Sequence, residues 1–238
     1  MRSPLRVLLL CAALFATAHA HANEAAVRQA FLARFPGATI DSVTKLPVGG
    51  LYEIVFEGQI AYTDEKVSYV MSGNLFDLRG STERNLTRER TMQIAAQSLA
   101  KVHDNAIKRV KGNGKRVIYT FEDPNCSYCR ELQKELAKMN DVMIYTFLLP
   151  ILSADSREKS RAIWCSRDRA RAWDDAMLKG TTPAPARKDC DTPFEKNQEL
   201  AQRFGIRGTP AVYLANGQQI GGYVASDKIE QALATVGR

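Results

Sequence analysis

The chain has 238 residues, of which 45% are hydrophobic and 25% charged, with a formal net charge of +7. This balance excludes a disordered or fibrous protein, and the length suits one large domain or two modest ones. Lysines and arginines are interspersed with acids, and the run from Arg84 to Arg90 reads as a solvated helix start, so no nucleic-acid partner is expected.

Residues 1–22 read as a targeting segment. Arg2 and Arg6 precede an apolar run, Val7 to Ala18, that is too short to span a bilayer. Ala18-His19-Ala20 and Ala20-His21-Ala22 both fit a small-residue cleavage pattern, with cleavage after Ala22 preferred. Leu10 before Cys11 does not suit a lipid-anchor site. The mature chain, 23–238, is expected to be soluble and exported.

The mature start predicts a short helix, in which Val27, Phe31 and Phe35 recur on one face until Pro36-Gly37 stops it. Tyr52, Ile54 and Phe56 then alternate with Glu53, Val55 and Glu57 in a strand rhythm. Val67 to Met71 and Leu75 to Leu78 continue it, punctuated by Gly58, Gly73-Asn74 and Gly80. A strand-rich unit over 23–85 has too little core to be secure alone, so it is expected to pair with something. Met92, Ala95, Leu99, Val102 and Ala106 form an amphipathic stripe, predicting a linker helix over 86–110, and Gly112 and Gly114 break the chain after it.

A second domain is expected over 111–238. Arg116 to Phe121 suits a buried strand, Leu132, Leu136 and Met139 mark a helix face, and Val142 to Leu149 suits another buried strand. Residues 154 to 204 look mostly helical, interrupted by a proline-rich stretch at 181–185. Ala211 to Leu214 and Gln219 to Tyr223 flank Asn216-Gly217, a strong hairpin signal. Ile229, Leu233 and Val236 mark a closing helix. The fold class is therefore α+β.

With Cys11 removed, four cysteines remain: Cys126, Cys129, Cys165 and Cys190. An even number in an exported chain suggests disulfides, and of the three connectivities possible the tight and distant pairs favour 126–129 and 165–190. Cys126-Ser127-Tyr128-Cys129 follows a strand and opens a helix. Free N–H groups and the dipole at a helix start favour the thiolate, which is the nucleophile of thiol–disulfide exchange. A spacing of three lets the second sulfur attack a mixed disulfide made by the first. Cys126, expected to be the more exposed, is read as the attacking thiol and Cys129 as the resolving one. A passive disulfide and half of a zinc site are the alternatives. Zinc asks for about four ligands, and no second such pair exists. No metal or organic cofactor is expected.

Gly208-Thr209-Pro210 stands just before the strand and hairpin. With Cys-x-x-Cys between strand and helix, this arrangement resembles the thioredoxin fold. Ala162-Ile163-Trp164-Cys165, Asp174-Asp175-Ala176-Met177 and Gly208-Thr209-Pro210-Ala211-Val212 further resemble bacterial DsbC-type disulfide isomerases. The resemblance implies an N-terminal dimerisation domain, a linker helix and a C-terminal thioredoxin domain with a helical insertion, assembled as a homodimer in the periplasm. It also implies a cis Pro210 beside the active cysteines, a Thr209 backbone that binds the client chain as an added strand, and substrate contact for Tyr128.

The same resemblance implies that Cys165 and Cys190 form a structural disulfide; their rival reading is a second exchanging pair. The implied partners are misfolded disulfide-containing exported proteins and a membrane thiol reductant of the DsbD type. Related activities remain open: a DsbG-like reductase of oxidised cysteines, a holdase chaperone, or an oxidase using the same motif. Two departures stand out. Ser127-Tyr128 replaces the Gly-Tyr frequent in DsbC-type proteins, and Thr120 stands where thioredoxin proper has a buried acid. Glu122, at the end of its strand, is expected to be exposed rather than to assist proton transfer.

Overall fold

The computed structural model describes residues 23–181, 184 and 189–236. The expected targeting segment, and Pro183 and Pro185, lie outside the described residues. The chain divides by its internal contacts into two compact units meeting between Thr87 and Arg88.

The N-terminal unit contains a helix over residues 23–34 (α1) and a four-stranded antiparallel meander. Its strands are β1 (Ile40–Lys45), β2 (Tyr52–Phe56), β3 (Gln59–Thr63) and β4 (Val70–Ser72), in the order β1-β2-β3-β4. Val27 and Phe31 of α1 pack on Val43, Tyr52, Ile54 and Val67, so one helix face and one sheet face make the core. The periodicity predicted β2, and the expected runs Val67 to Met71 and Leu75 to Leu78 overlap β4 and the strand Phe76–Asp77. Glu53 and Val55 are buried as well as Tyr52 and Ile54, so the alternation in type does not correspond to one buried and one open face. β1 and β3 have no expected counterpart, since Asp41, Ser42 and Gln59 dilute their apolar pattern. A two-stranded ribbon, β5 (Phe76–Asp77) with β6 (Arg84–Asn85), completes the unit.

The expected linker helix over 86–110 is shorter than its stripe suggested. Helix α2 spans Leu86–Lys101 and gives way to a single turn of 3-10 helix at His103–Asn105. Residues Ile107–Lys111 are a strand, β7, paired antiparallel with β9. Ile107 and Val110 are β-branched, and a sheet edge supplies backbone partners that an isolated helix end would leave to water. His103 accordingly lies after the helix, its ring stacked 4.0 Å from Tyr145.

The remaining elements are β8 (Arg116–Glu122), α3 (Ser127–Lys138), β9 (Val142–Leu148), α4 (Ala154–Trp164), α5 (Arg169–Lys179), α6 (Phe194–Arg203), β10 (Ala211–Leu214), β11 (Gln219–Gly221) and α7 (Ser226–Leu233). The sheet order is β11-β10-β8-β9-β7, with β8 and β9 parallel and the other neighbours antiparallel. Interior β8 and β9 read as continuous apolar runs because both faces are covered. On one face α2 and α6 bring Leu99 and Ala201 against Phe121, Phe147 and Tyr213. On the other, Leu132, Leu136, Ile229 and Leu233 cover Ile118, Ile144 and Val212. The Asn216-Gly217 turn joins β10 to β11 with Gly217 at φ 81°. A Cβ there would stand 1.8 Å from the Met92 carbonyl oxygen, so α2 can lie on this turn only if the residue is glycine. No helix among the described residues is long and apolar enough to cross a membrane.

Candidate active site

The loop from β8 to α3 is held from several sides. The Asp123 carboxylate accepts the N–H groups of Asn125 at 2.8 Å, Ile151 at 2.9 Å and Leu152 at 3.1 Å, while its carbonyl accepts that of Cys126 at 3.0 Å. The Asn125 amide donates to Ser153, Asp155 and Ser156, and Lys159 donates to its oxygen at 2.9 Å. The turn carrying the first cysteine is thereby fastened to the start of α4. Asp123 and Asn125 were not singled out in the sequence. An Asp-Pro-Asn triplet directly before a helix is the turn signal that could have drawn attention to them.

Cys126 is the N-cap of α3, with extended backbone, and its sulfur accepts the Cys129 N–H at 3.3 Å. In its thiol form it donates to the Thr209 carbonyl at 3.2 Å. The Thr209–Pro210 peptide is cis. The structure therefore brings the first cysteine, the second cysteine and the Thr209-Pro210 peptide together across the sheet. Both sulfurs are free thiols. Cys126 keeps 6% of its surface exposed and Cys129 none. Tyr128 stands 65% exposed on the first turn of α3. Behind the thiols lie Leu148, Ile163, Trp173 and Phe194, an apolar wall.

Glu122 overturns the expectation of an exposed strand-end acid: it is completely buried. Its place is explained by Gln133, which follows Cys129 by one turn on the buried face of α3 made by Cys129, Leu132, Gln133 and Leu136. The Gln133 amide nitrogen donates to both Glu122 oxygens, at 2.6 and 2.8 Å. Its oxygen accepts from the Arg109 guanidinium at 2.5 Å. Arg109, on edge strand β7, also donates to Thr146 and to Asp174, each at 2.9 Å. Burial pushes the Glu122 carboxyl above its ordinary range, against the opposing pull of Arg109 and the hydroxyls and amide around it. Burial also pushes the Cys129 thiol far up, and the Glu122 charge adds to that shift. A glutamine on an otherwise apolar helix face was the signal that a polar partner lies beneath.

Cys165 caps the C-terminus of α4 and is bonded to Cys190, 25 positions later and four residues before α6. The neighbouring Trp164 indole donates to the Asp191 carbonyl at 2.9 Å, and Arg169 lies over its ring. Trp164 and Trp173 are both buried, as expected of core residues. Among the described residues, no group of His, Cys, Asp and Glu side chains converges as a metal site would require.

Comparison with known proteins places the two units separately. Residues 18–88 match the model of the disulfide bond isomerase protein N-terminal domain, and residues 103–237 match that of a thioredoxin-like domain. The chain is 41% identical over 209 residues to a probable thiol:disulfide interchange protein DsbC of Bordetella parapertussis, covering 87% of this chain and 73% of that protein. It is 28% identical to the thiol:disulfide interchange protein DsbC of Escherichia coli, over 90% of this chain and 89% of that one. Among solved structures, a disulfide interchange protein from Neisseria gonorrhoeae superposes with a TM-score of 0.52 at 39% identity, covering 56% of this chain and 95% of that one.

Proposed function

This chain belongs to the DsbC family of thiol:disulfide interchange proteins, and we propose that it is a periplasmic disulfide isomerase that rearranges non-native disulfides in exported proteins, with Cys126 as nucleophile. The observation that carries this reading is the asymmetry of the two sulfurs. Cys126 sits at the helix start with its sulfur 3.2 Å from the Thr209 carbonyl, and Cys129 is sealed one turn behind it.

The chemistry follows from that arrangement. The Cys126 thiolate attacks one sulfur of a client disulfide; the client S–S bond breaks and its other sulfur leaves as a thiolate. In this reading the Thr209 backbone before Pro210 holds the client chain as an added strand, and Tyr128, exposed on the first turn of α3, contacts it. A client thiolate then attacks the mixed disulfide, which forms the new pairing and returns Cys126. When no client thiolate arrives, Cys129 displaces the client as a dithiol and the 126–129 pair is left oxidised. Two electrons must then return, and a membrane thiol reductant of the DsbD type supplies them in this reading.

Residues 23–85 act as the dimerisation domain of a homodimer. Support comes from edge strand β4, where Val70 and Met71 are exposed and Tyr69 just before it is 75% exposed, and from the separate ribbon, where Phe76 and the following Leu78 are exposed. An open apolar strand edge is a template for a second copy. The catalytic domain of this proposal starts earlier than 111, because β7 belongs to its sheet.

Refolding of a scrambled multi-disulfide protein tests the reading. Cys126→Ser is expected to abolish it, and Cys129→Ser to leave residual shuffling while trapping covalent client complexes. Full activity in a Cys126→Ala/Cys129→Ala double variant would overturn an enzymatic function in favour of a holdase.

A further inference from the structure

Edge strand β7 turns Arg109 and Lys111 to the same side, because residues two apart share a strand face. Helix α5 packs against both β7 and α3. It carries Ala170, Asp174 and Leu178 at four-residue spacing, along one stripe. Where these elements meet lies a cavity of about 300 Å³. Much of its wall is apolar, with Leu136, Ile144, Ala170 and Leu178 in it. Its charge is unbalanced, since Lys108, Arg109 and Lys111 line it against one acid, Asp174.

The donors in that lining are not used up. The Arg109 side chain keeps only 10% of its surface exposed. Its guanidinium donates to Gln133, Asp174 and Thr146. The Nε–H is buried and has no acceptor among the described residues. A guanidinium carries five donors, and one left unused in the interior costs free energy until an acceptor reaches it. The Lys111 ammonium closes the end of α3 by donating to the Leu136 and Ala137 carbonyls. Burial, and then the neighbouring Arg109 cation, hold it below its ordinary pKa. Positive charge here exceeds what the protein itself neutralises.

We propose that this cavity is a binding site for a small organic anion, a monocarboxylate with an apolar body, whose head is held by Arg109. The exchange reading above is not needed for it. An apolar cavity of about 150 Å³ takes a benzene ring, so the space measured here holds a ring-sized body together with a carboxylate. Pockets of this kind are mostly apolar, with a few polar groups that fix the ligand's orientation. Asp174 is the acceptor that the ligand head displaces. Its side chain is 44% exposed, and an ion pair open to water on one side is cheap to exchange. With Asp174 displaced, Nε–H and a terminal N–H of Arg109 can serve one carboxylate together, the paired geometry that favours arginine over lysine. Ligand and Asp174 thus compete for one cation, which fixes the sign of the test.

Titration of the isotope-labelled full chain with 3-phenylpropionate, followed by nuclear magnetic resonance, tests the proposal. The Arg109 Nε–H resonance is expected to shift and saturate, together with the backbone signals of Lys111 and Asp174. The neutral analogue 3-phenylpropionamide should bind at least about tenfold more weakly, since it forfeits the charged hydrogen bonds. Arg109→Lys, which keeps the charge and loses the fork, should weaken 3-phenylpropionate by a similar factor. Asp174→Asn removes the competing acid and should tighten binding about threefold. This half-exposed position decides the matter even if Arg109→Lys fails to fold. No saturable shift at Arg109 overturns the proposal, as does equal binding of acid and amide. Unchanged or weaker binding in Asp174→Asn overturns it as well.

Discussion

The two cysteine pairs are built from the same atoms and stand in opposite states. Cys126 and Cys129 are free thiols at the start of α3, and Cys165 and Cys190 are a bonded pair linking the end of α4 to the approach to α6. The first pair lies within a single helix turn, so a bond between them closes almost no chain. The second closes a long loop, and its chain-entropy contribution is about 3 kcal/mol. Around the first pair the protein gathers polar groups: Asp123 and Asn125 fix the turn, the Thr209 carbonyl meets the Cys126 sulfur, and Gln133, one turn after Cys129, holds the buried Glu122. Around the second pair are an indole, a stacked guanidinium and a backbone carbonyl. Exchange thus depends on what stands beside a sulfur, and permanence on how much chain the bond encloses.

Removing the second pair should therefore cost stability and spare chemistry. A Cys165→Ser/Cys190→Ser double variant is expected to lose about 3 kcal/mol of unfolding free energy in denaturant titration. Its rate of attack on a small disulfide should stay within about twofold of the parent. A loss of exchange in a folded double variant would mean that the two pairs communicate.

A smaller effect concerns pH. The Cys129 thiol is raised in the folded reduced protein and takes its ordinary value of about 8.5 when unfolded. Folded protein thus holds this proton more tightly than unfolded protein. The stability is complete below the unfolded value and declines as pH rises above it toward the folded one. Oxidation removes the titrating group. Reduced protein is expected to lose stability relative to oxidised protein as pH rises above about 8.5, measured by thermal unfolding of both forms. Parallel alkaline curves would show that Cys129 ionises without cost.

Much of this contrast was legible in the sequence, because spacing carries it. Cys-x-x-Cys at a strand–helix junction and Thr209-Pro210 before a hairpin are local signals, and the Leu132/Leu136 stripe placed α3. Less local features were not legible. The stripe of Met92 to Ala106 matches a helix throughout, yet β9 needed an edge partner and took Ile107–Lys111 as a strand. Glu122 looked exposed because the end of a strand usually is. It sits instead at the end of a chain of contacts, Glu122 to Gln133 of α3 and Gln133 to Arg109 of β7, that span 11 and 24 positions of sequence. Pair distances of that kind leave no periodic trace.

The most direct test of the contrast is acid quenching and thiol trapping of the protein in growing cells, followed by mass mapping of each cysteine. An isomerase has to begin as a dithiol, since only a free thiolate attacks a client bond. Cys126 and Cys129 should be recovered mainly as trapped thiols while Cys165 and Cys190 remain bonded to each other. Recovery of 126–129 predominantly as a disulfide, or of Cys126 joined to Cys165 or Cys190, would contradict the account.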